Sequence, residues 1–344
     1  MKLPKPPTLD EVRGHTPSIS ALPADTRRPF WSVMISTYNN GAYLSRAIQS
    51  VLSQALSPDE MQIEVVDGCS AEDPQRMVEQ FGDERLTYYR LRSNKGPAHT
   101  FNVCIERARG QWIHILHGDD VLLPGFYEAY ARAIHLSPTA RTVFGQVITI
   151  DEDDRWQGIF GPQPPPGGGV IEDFSEMQAV RQLVLSPGIV LHREIYEKVG
   201  GYCTLFSHVT DWDMWFRAGA YAPVTCVSKP YALYRLYSES FTNRLMLSAT
   251  NTRECYFIIR LNLARLTKPV RMDEQSWRER LAVAAERNAW QLDKRNCVEG
   301  RYNQAIWAWM LNPNIDRLKV LAKSWVKRQL MIGRSSELRS DLRS

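Results

Sequence analysis

The sequence predicts an α/β protein: a mostly parallel, doubly wound sheet followed by a helical C-terminal region. Three observations predict it. Short apolar runs alternate with amphipathic stretches from Trp31 to Leu136, polar residues close each of the first four runs, and beyond Arg244 the pattern turns helical. The 344 residues exceed what one core usually organises, so an appendage beside the main domain is expected. The expected divisions are a loose lead-in over 1–30, rich in Pro and polar residues, a main domain over 31–244 and a basic helical region over 245–344.

Each element has its own signal. Trp31-Ser-Val-Met-Ile-Ser36 reads as a buried strand, ended by the polar turn from Thr37 to Gly41. Leu44, Ile48, Val51 and Leu52 then recur at helical spacing. Ile63-Glu-Val-Val66 is a second strand running into Asp67-Gly68, and residues 74–81 suit a second helix. Leu86 to Leu91 is a third strand, Ala98 to Ala108 a third helix, and Trp112-Ile-His-Ile-Leu116 a fourth strand that stops at His117-Gly118-Asp119-Asp120. A helix is expected from Pro124 to about Leu136 and a single strand over 142–150. Residues 151–170 collect acidic residues, Pro-Pro-Pro and Gly-Gly-Gly, and are expected as a mobile loop over the site or a surface excursion. Strand and helix return between Ser186 and Gly201, and His208 to Arg217 opens a further helix with Thr210 or Asp211 as its N-cap.

Composition excludes several classes. With 44% hydrophobic and 23% charged residues the chain is not disordered, collagen-like or coiled-coil. Six scattered Cys, with no CxxC and no Cys/His pairing at zinc spacing, argue against a disulfide framework or a structural zinc. The N-terminus lacks the apolar core of a secretory signal, and no apolar run approaches the roughly 20 residues of a bilayer span, so a cytoplasmic protein is expected. Residues 1–244 hold 23 Lys/Arg against 28 Asp/Glu, whereas 245–344 hold 19 against 10. A basic tail suits an anionic partner or a solvated helical face. Nucleic acid is the weaker partner, because no aromatic platform or groove-reading motif accompanies the charge. The first turn lacks GxGxxG and no GxxxxGK[ST] occurs, which disfavours ordinary dinucleotide and P-loop sites.

Doubly wound sheets bind ligands beyond the carboxyl ends of their strands. Four consecutive strand ends carry Tyr38 and Asn39, Asp67, Asn94 and Gly96, and Asp119 and Asp120, which places them along one rim. Taken in order, Ile35-Ser-Thr-Tyr-Asn39, Val65-Val-Asp-Gly-Cys-Ser-Ala-Glu72, Asn94-Lys-Gly96 through Asn102, Leu116-His-Gly-Asp-Asp120 and Thr210-Asp-Trp-Asp-Met-Trp-Phe-Arg217 resemble the inverting family 2 glycosyltransferases. That family has a Rossmann-like, A-type nucleotide-sugar-binding fold. The resemblance spans residues 31–240.

The resemblance implies transfer of a hexosyl or N-acetylhexosaminyl group from a nucleotide sugar, a UDP-sugar above all, to a saccharide or lipid-linked saccharide, as in bacterial surface polysaccharide synthesis. It implies donor contacts at Ser36, Tyr38, Asn39, Asp67, Gly96, His117, Asp119, Asp120 and Arg235. Tyr38 can pack its ring on the base, with Ser36 or Asn39 hydrogen-bonding nearby. Asp67, acceptor-only when ionised, can take a uracil or thymine N–H; the other reading makes it a turn former before Gly68. Asp119 matches the usual ligand of Mg²⁺ or Mn²⁺. His117 replaces a carboxylate there, and imidazole is a poor partner for Mg²⁺. Asp120 can instead cap the next helix. Tyr234-Arg235-Leu236-Tyr237 has Tyr in the last position where relatives usually have His, so Arg235 is expected to carry more of the diphosphate charge. Both departures point toward weak or absent metal use. Asp211 matches the general base that inversion requires. A plain helix cap at Asp211 and Asp213 as the true base are the alternatives, with Arg217 pairing one of these carboxylates. The rival class is a non-catalytic nucleotide-sugar-binding or assembly protein on the same fold, which has no reason to keep a base at 211.

His99, His114, His135, His192 and His208 show no ligand spacing, and Trp212, Trp215, Trp307 and Trp309 suit packing ahead of sugar stacking. In the tail, Leu318, Leu321, Trp325, Val326 and Leu330 form an apolar stripe between Lys319, Lys323, Lys327 and Arg328. This pattern fits a helix on an anionic leaflet, peripheral at the inner face of the membrane. A helix docked on its own domain or a dimer contact fits it equally.

Overall fold

The computed structural model describes residues 2–238 and 240–341, with side chains through Met331. After α1 (Leu9–Gly14), strands and helices alternate: β1 (Trp31–Thr37), α2 (Gly41–Leu52), β2 (Met61–Asp67), α3 (Gln75–Glu79), β3 (Leu86–Arg90), α4 (Pro97–Arg107) and β4 (Trp112–His117). There follow β5 (Val121–Leu122), α5 (Phe126–Leu136), β6 (Thr142–Phe144), β7 (Val147–Ile150), β8 (Trp156–Phe160), β9 (Gly169–Val170), α6 (Phe174–Val180), β10 (Ile189–His192), α7 (Arg193–Val199), α8 (Thr210–Tyr221), β11 (Val224–Cys226) and β12 (Ala232–Arg235). Among the described residues the larger sheet runs β3-β2-β1-β4-β10-β6-β11-β9, and a smaller one runs β5-β12-β7-β8. The expected α/β architecture with a mostly parallel sheet is therefore the one observed.

β1 is buried at all seven positions. Its alternating side chains feed two cores, as a parallel strand covered on both faces must. Val33 and Ile35 pack with Leu44, Ala47 and Ile48 of α2. Met34 packs with Cys104 and Ile105 of α4 on the other face. Fully burying such a side chain stabilises by about 1.5–3 kcal/mol, so a one-residue slip of β1 would cost several such contacts at once. The register is thereby fixed: Thr37 lies opposite Asp67, Asp67 opposite Arg90, and Ser36 opposite His117.

Three local expectations change. The strand expected over 142–150 is two strands in two sheets, β6 and β7. The chain crosses between them at Gly145, where a Cβ would lie 2.6 Å from Val227 and 3.0 Å from the Tyr130 hydroxyl. Residues 151–170 are not a plain loop: β8 returns antiparallel on β7, and β9 closes the edge of the larger sheet. β8 carries little apolar patterning because its outer face is solvated, with Trp156 67% exposed. Finally, neither Thr210 nor Asp211 is the N-cap of α8; Val209 takes that place. Near the N-terminus, within the stretch expected as a lead-in, Val12 and Ile19 are buried, and Gly201 and Arg193 donate hydrogen bonds to the carbonyls of Pro17 and Ser20.

Leu9–Tyr237 forms one compact unit, and the chain from Ser238 onward, joined by the residues up to Thr8, forms a second. The second unit is helical: α9 (Phe241–Leu247), α10 (Thr250–Arg265), α11 (Glu274–Lys294), α12 (Val298–Leu311) and α13 (Ile315–Asp341). α13 turns Arg317, Leu321 and Ser324 inward, and the Arg317 guanidinium is held by Glu279 at 2.7 Å and Glu286 at 3.0 Å. No helix among the described residues is long and apolar enough to cross a membrane.

Candidate functional site

The parallel register brings the carboxyl ends of β1, β2 and β4 side by side. Ser36, Tyr38, Asn39, Asp67, His117, Asp119 and Asp120 therefore share one rim, and Gly96 joins it from the turn after β3. Tyr38 is 39% exposed and presents its ring. Ser36 is buried, and its carbonyl accepts the Gly118 amide. Gly96 stands at φ +91°, a left-handed value suited to glycine, and its amide donates to Asn94 Oδ1 at 2.7 Å just before α4 begins. A cavity of about 530 Å³ opens between the turns after β1 and β2, lined in part by Thr37, Asn39, Asn40, Ser70 and Asp73.

Asp67 does not reach that cavity. Its carboxylate is fully buried and accepts the Ser70 amide at 3.1 Å, the Ser70 hydroxyl at 2.5 Å and the Tyr88 hydroxyl at 3.3 Å, with Arg90 ion-paired at 3.4 Å. Asn39 is likewise engaged: its Oδ1 accepts the Ala71 amide at 2.8 Å, and its own amide donates to Ser70 Oγ. The two residues shape the cavity wall by fixing the turn at Ser70, one of the residues that line it. This corrects the expectation of a base-binding carboxylate at 67: the strand end is right, but the side chain points inward.

At the end of β4, His117, Asp119 and Asp120 each present a ligand atom, all within 4.8 Å of one another. Gly118 between them is required by space, since a Cβ would lie 2.9 Å from Thr37 Oγ1. Asp120 is buried and does not cap a helix. Its Oδ1 accepts the Arg235 amide at 3.0 Å, while Oδ2 has no hydrogen-bond partner among the described residues and lies 3.7 Å from His117 Nδ1. Burial, reinforced by neighbouring Asp119, raises its carboxyl well above the usual range. Burial also lowers His117, which keeps its imidazole neutral and able to donate a lone pair. An orphaned buried carboxylate oxygen beside a second carboxylate and an imidazole fits a divalent cation. Tyr237 donates to Asp119 Oδ2 at 2.9 Å, so the phenol orients this ligand.

Arg235 is not a diphosphate clamp. Its side chain is fully buried: Nε donates to the Asp119 carbonyl at 3.0 Å, one terminal nitrogen to the Asp151 carbonyl at 3.0 Å, and the other pairs with Asp154 at 2.7 Å. The guanidinium lies 4.4 Å from the centroid of the Tyr43 ring. A cation so enclosed cannot swing toward a ligand.

On α8, Asp213 is fully buried and paired with Arg217 at 2.8 Å, while Asp211 is half-buried. Asp211 Oδ1 accepts the Trp212 amide at 2.7 Å, and Oδ2 accepts from Gln182 at 3.1 Å. Burial pushes its carboxyl up to about 6, against the opposing pull of those two donors. An aromatic chain relates it to the rim: His117 stacks on Phe101 at 5.1 Å, Phe101 meets Tyr202 at 5.1 Å, and the Asp211 charge is felt by the Tyr202 phenol. Trp212, Trp215 and Trp307 are buried as packing residues. His114, the one core histidine of β4, lies between Tyr127 and the Pro187 carbonyl, and burial lowers it to about 3.

Sequence reasoning missed four participants. Arg90 and Tyr88 could have been found, since parallel register sets Arg90 opposite Asp67 and Tyr88 lies two residues before it on β3. Asn40, whose Oδ1 lies 3.3 Å from the Tyr237 hydroxyl, and Gln182 carry no local signal.

A mostly parallel sheet with an acidic group at the end of its fourth strand is the A-type fold of nucleotide-sugar-dependent glycosyltransferases. Residues 32–199 match the model of glycosyl transferase family 2, which identifies this stretch as a family 2 glycosyltransferase domain. The succinoglycan biosynthesis protein ExoO of Rhizobium meliloti is 34% identical over 132 residues, 38% of this chain and 35% of its own length. An uncharacterized glycosyltransferase of Haemophilus influenzae is 23% identical over 249 residues, 70% of this chain and 79% of its own. Among solved structures, S. aureus TarS 1–349 in complex with UDP-GlcNAc superposes with a TM-score of 0.63 at 14% identity, covering 86% of this chain and 91% of that one. At that identity the likeness is one of fold.

Proposed function

We propose that the chain is an inverting glycosyltransferase that moves a hexosyl or N-acetylhexosaminyl group from a UDP-sugar to a saccharide or lipid-linked saccharide in surface polysaccharide synthesis. Residues 31–244 form the catalytic domain in this reading, and 245–344 a basic helical region. The observation that carries it is a lone carboxyl held at about 6, Asp211, related through two aromatic rings to a cluster of three potential metal ligands. The UDP-GlcNAc bound in the TarS structure and the biosynthetic role in the name of ExoO support the donor and pathway classes.

Tyr38 offers its ring to the base, and Ser36 and the Gly96 turn flank the donor. His117, Asp119 and Asp120 would hold Mn²⁺ or Mg²⁺, which when bound offsets charge on the leaving diphosphate. Asp211 accepts the proton of the acceptor hydroxyl as that oxygen attacks the anomeric carbon. The new C–O bond forms opposite the departing one, and the diphosphate leaves with the bonding pair, inverting the centre. Asp211→Asn removes the base while keeping shape. Turnover is expected to fall by roughly 10²- to 10⁴-fold with UDP affinity unchanged, and a near-normal rate would move the reading to the non-catalytic binder. The exposed apolar side chains of α13, bordered by lysines, support the part of this reading in which the protein is peripheral at an anionic inner membrane face.

A further inference from the structure

Arg235 is spent entirely inside the protein, yet it touches everything that shapes the acidic group. Its guanidinium has no exposed surface. It ties the Asp119 carbonyl to the Asp151 and Glu152 carbonyls and to the Asp154 carboxylate, all in the turn between β7 and β8. Its own amide fixes Asp120 Oδ1, which leaves Oδ2 as the free ligand atom. Its face rests on Tyr43 of α2. A buried cation is costly unless paired and fully hydrogen-bonded, and a planar fork serves several carbonyl and carboxylate partners at once where a lysine cannot. We propose that Arg235 is the positioning residue of the divalent-cation site: it sets the backbone from which Asp119 and Asp120 project, and it locks the β7–β8 turn to that backbone.

This inference rests on the metal-dependent reading above, and the test separates the two. Mn²⁺ binding to the full chain is titrated by electron paramagnetic resonance in the presence of UDP, with thermal melts to confirm folding. Arg235→Lys keeps the charge and loses the fork. Its Mn²⁺ affinity is expected to fall by roughly 10- to 100-fold, the usual effect of removing a support behind metal ligands, while UDP binding without metal stays at the wild-type value. Arg155→Ala removes a neighbouring charge that pairs with Asp153 in the same turn and makes no contact with the acidic group among the described residues, and should leave Mn²⁺ affinity as it was. If Arg235→Lys does not fold, Asp154→Asn takes its place: it keeps the size of the turn-side partner, drops its charge, and is expected to weaken Mn²⁺ in the same direction. A folded variant of either kind that binds Mn²⁺ as the wild type does overturns the proposal. A wild-type chain that binds no Mn²⁺ with UDP overturns the metal reading itself, and this inference with it.

Discussion

Asp211 and Asp213 lie two residues apart on α8 yet have opposite fates. Asp213 faces Arg217 with no exposed surface, so its charge is neutralised and inaccessible. The donors to Asp211 are neutral, the Trp212 N–H, its own backbone N–H and the Gln182 amide, and burial outweighs them. A base must be ionised to work, so kcat/KM should rise with pH to a plateau above about 6, the value to which Asp211 is raised. The sign for stability is the reverse. The folded state holds this proton more tightly than the unfolded chain, so the contribution is fully present below the ordinary carboxyl value of 3.8 and is lost as pH rises through about 6. A pH–rate profile whose acid limb lies near 4 would show that Asp211 is not the titrating group. Gly118 makes a separate demand. With Thr37 Oγ1 at 2.9 Å and Thr37 Cβ at 3.0 Å from any added Cβ, Gly118→Ala must push β1 and the acidic turn apart. Overpacking of this kind costs about 1–3 kcal/mol, so a thermal melt at the wild-type midpoint would refute the contact.

At the scale of elements, β1 to β4 were legible because strands covered on both faces read as continuous apolar runs and their helices as periodic ones. β7 and β8 were not. The crossing is marked only by Gly145-Gln146, too short an interruption between Val143-Phe144 and Val147-Ile148 to read as the end of one strand and the start of another, and an edge strand held by backbone pairing needs no pattern of its own. The site divides the same way. Sequence places Asp67 and Arg235 at the right strand ends, but the direction a side chain takes depends on partners such as Ser70 and Asp154, which only the fold brings near. α13 shows the converse. Its stripe was legible, but Leu321 turns inward while Leu318, Trp325, Val326 and Leu330 stay exposed, and Lys327 and Arg328 reach Asp293 and Glu299. For this helix to lie on lipid, the exposed apolar side chains must insert beside its cations. Sedimentation with phosphatidylglycerol vesicles at low salt should therefore be lost in Trp325→Glu/Leu330→Glu and absent with phosphatidylcholine. A wild-type chain that stays in the supernatant at low salt removes the membrane role.

Taken whole, the molecule separates chemistry from charge. The rim, the acidic group and Asp211 all belong to the compact unit Leu9–Tyr237, whereas the excess of basic residues lies beyond position 244. A donor that binds the rim then stabilises the unit that carries it, by RT ln(1 + [L]/Kd). At a concentration of 100 Kd this is about 2.7 kcal/mol, and a unit of this size gains roughly 2–4 °C per kcal/mol. UDP with Mn²⁺ should accordingly raise the melting midpoint of the full chain by roughly 5–10 °C. ADP should do less, because its larger base has to fit the same turns after β1 and β2. Chelation should remove part of the UDP shift if His117, Asp119 and Asp120 hold the cation, and leave the part owed to Tyr38 and the strand-end turns. An unchanged midpoint with every nucleoside diphosphate, with and without Mn²⁺, would mean that the rim does not bind a nucleotide donor, and the transferase reading would fail at its first step rather than at the base.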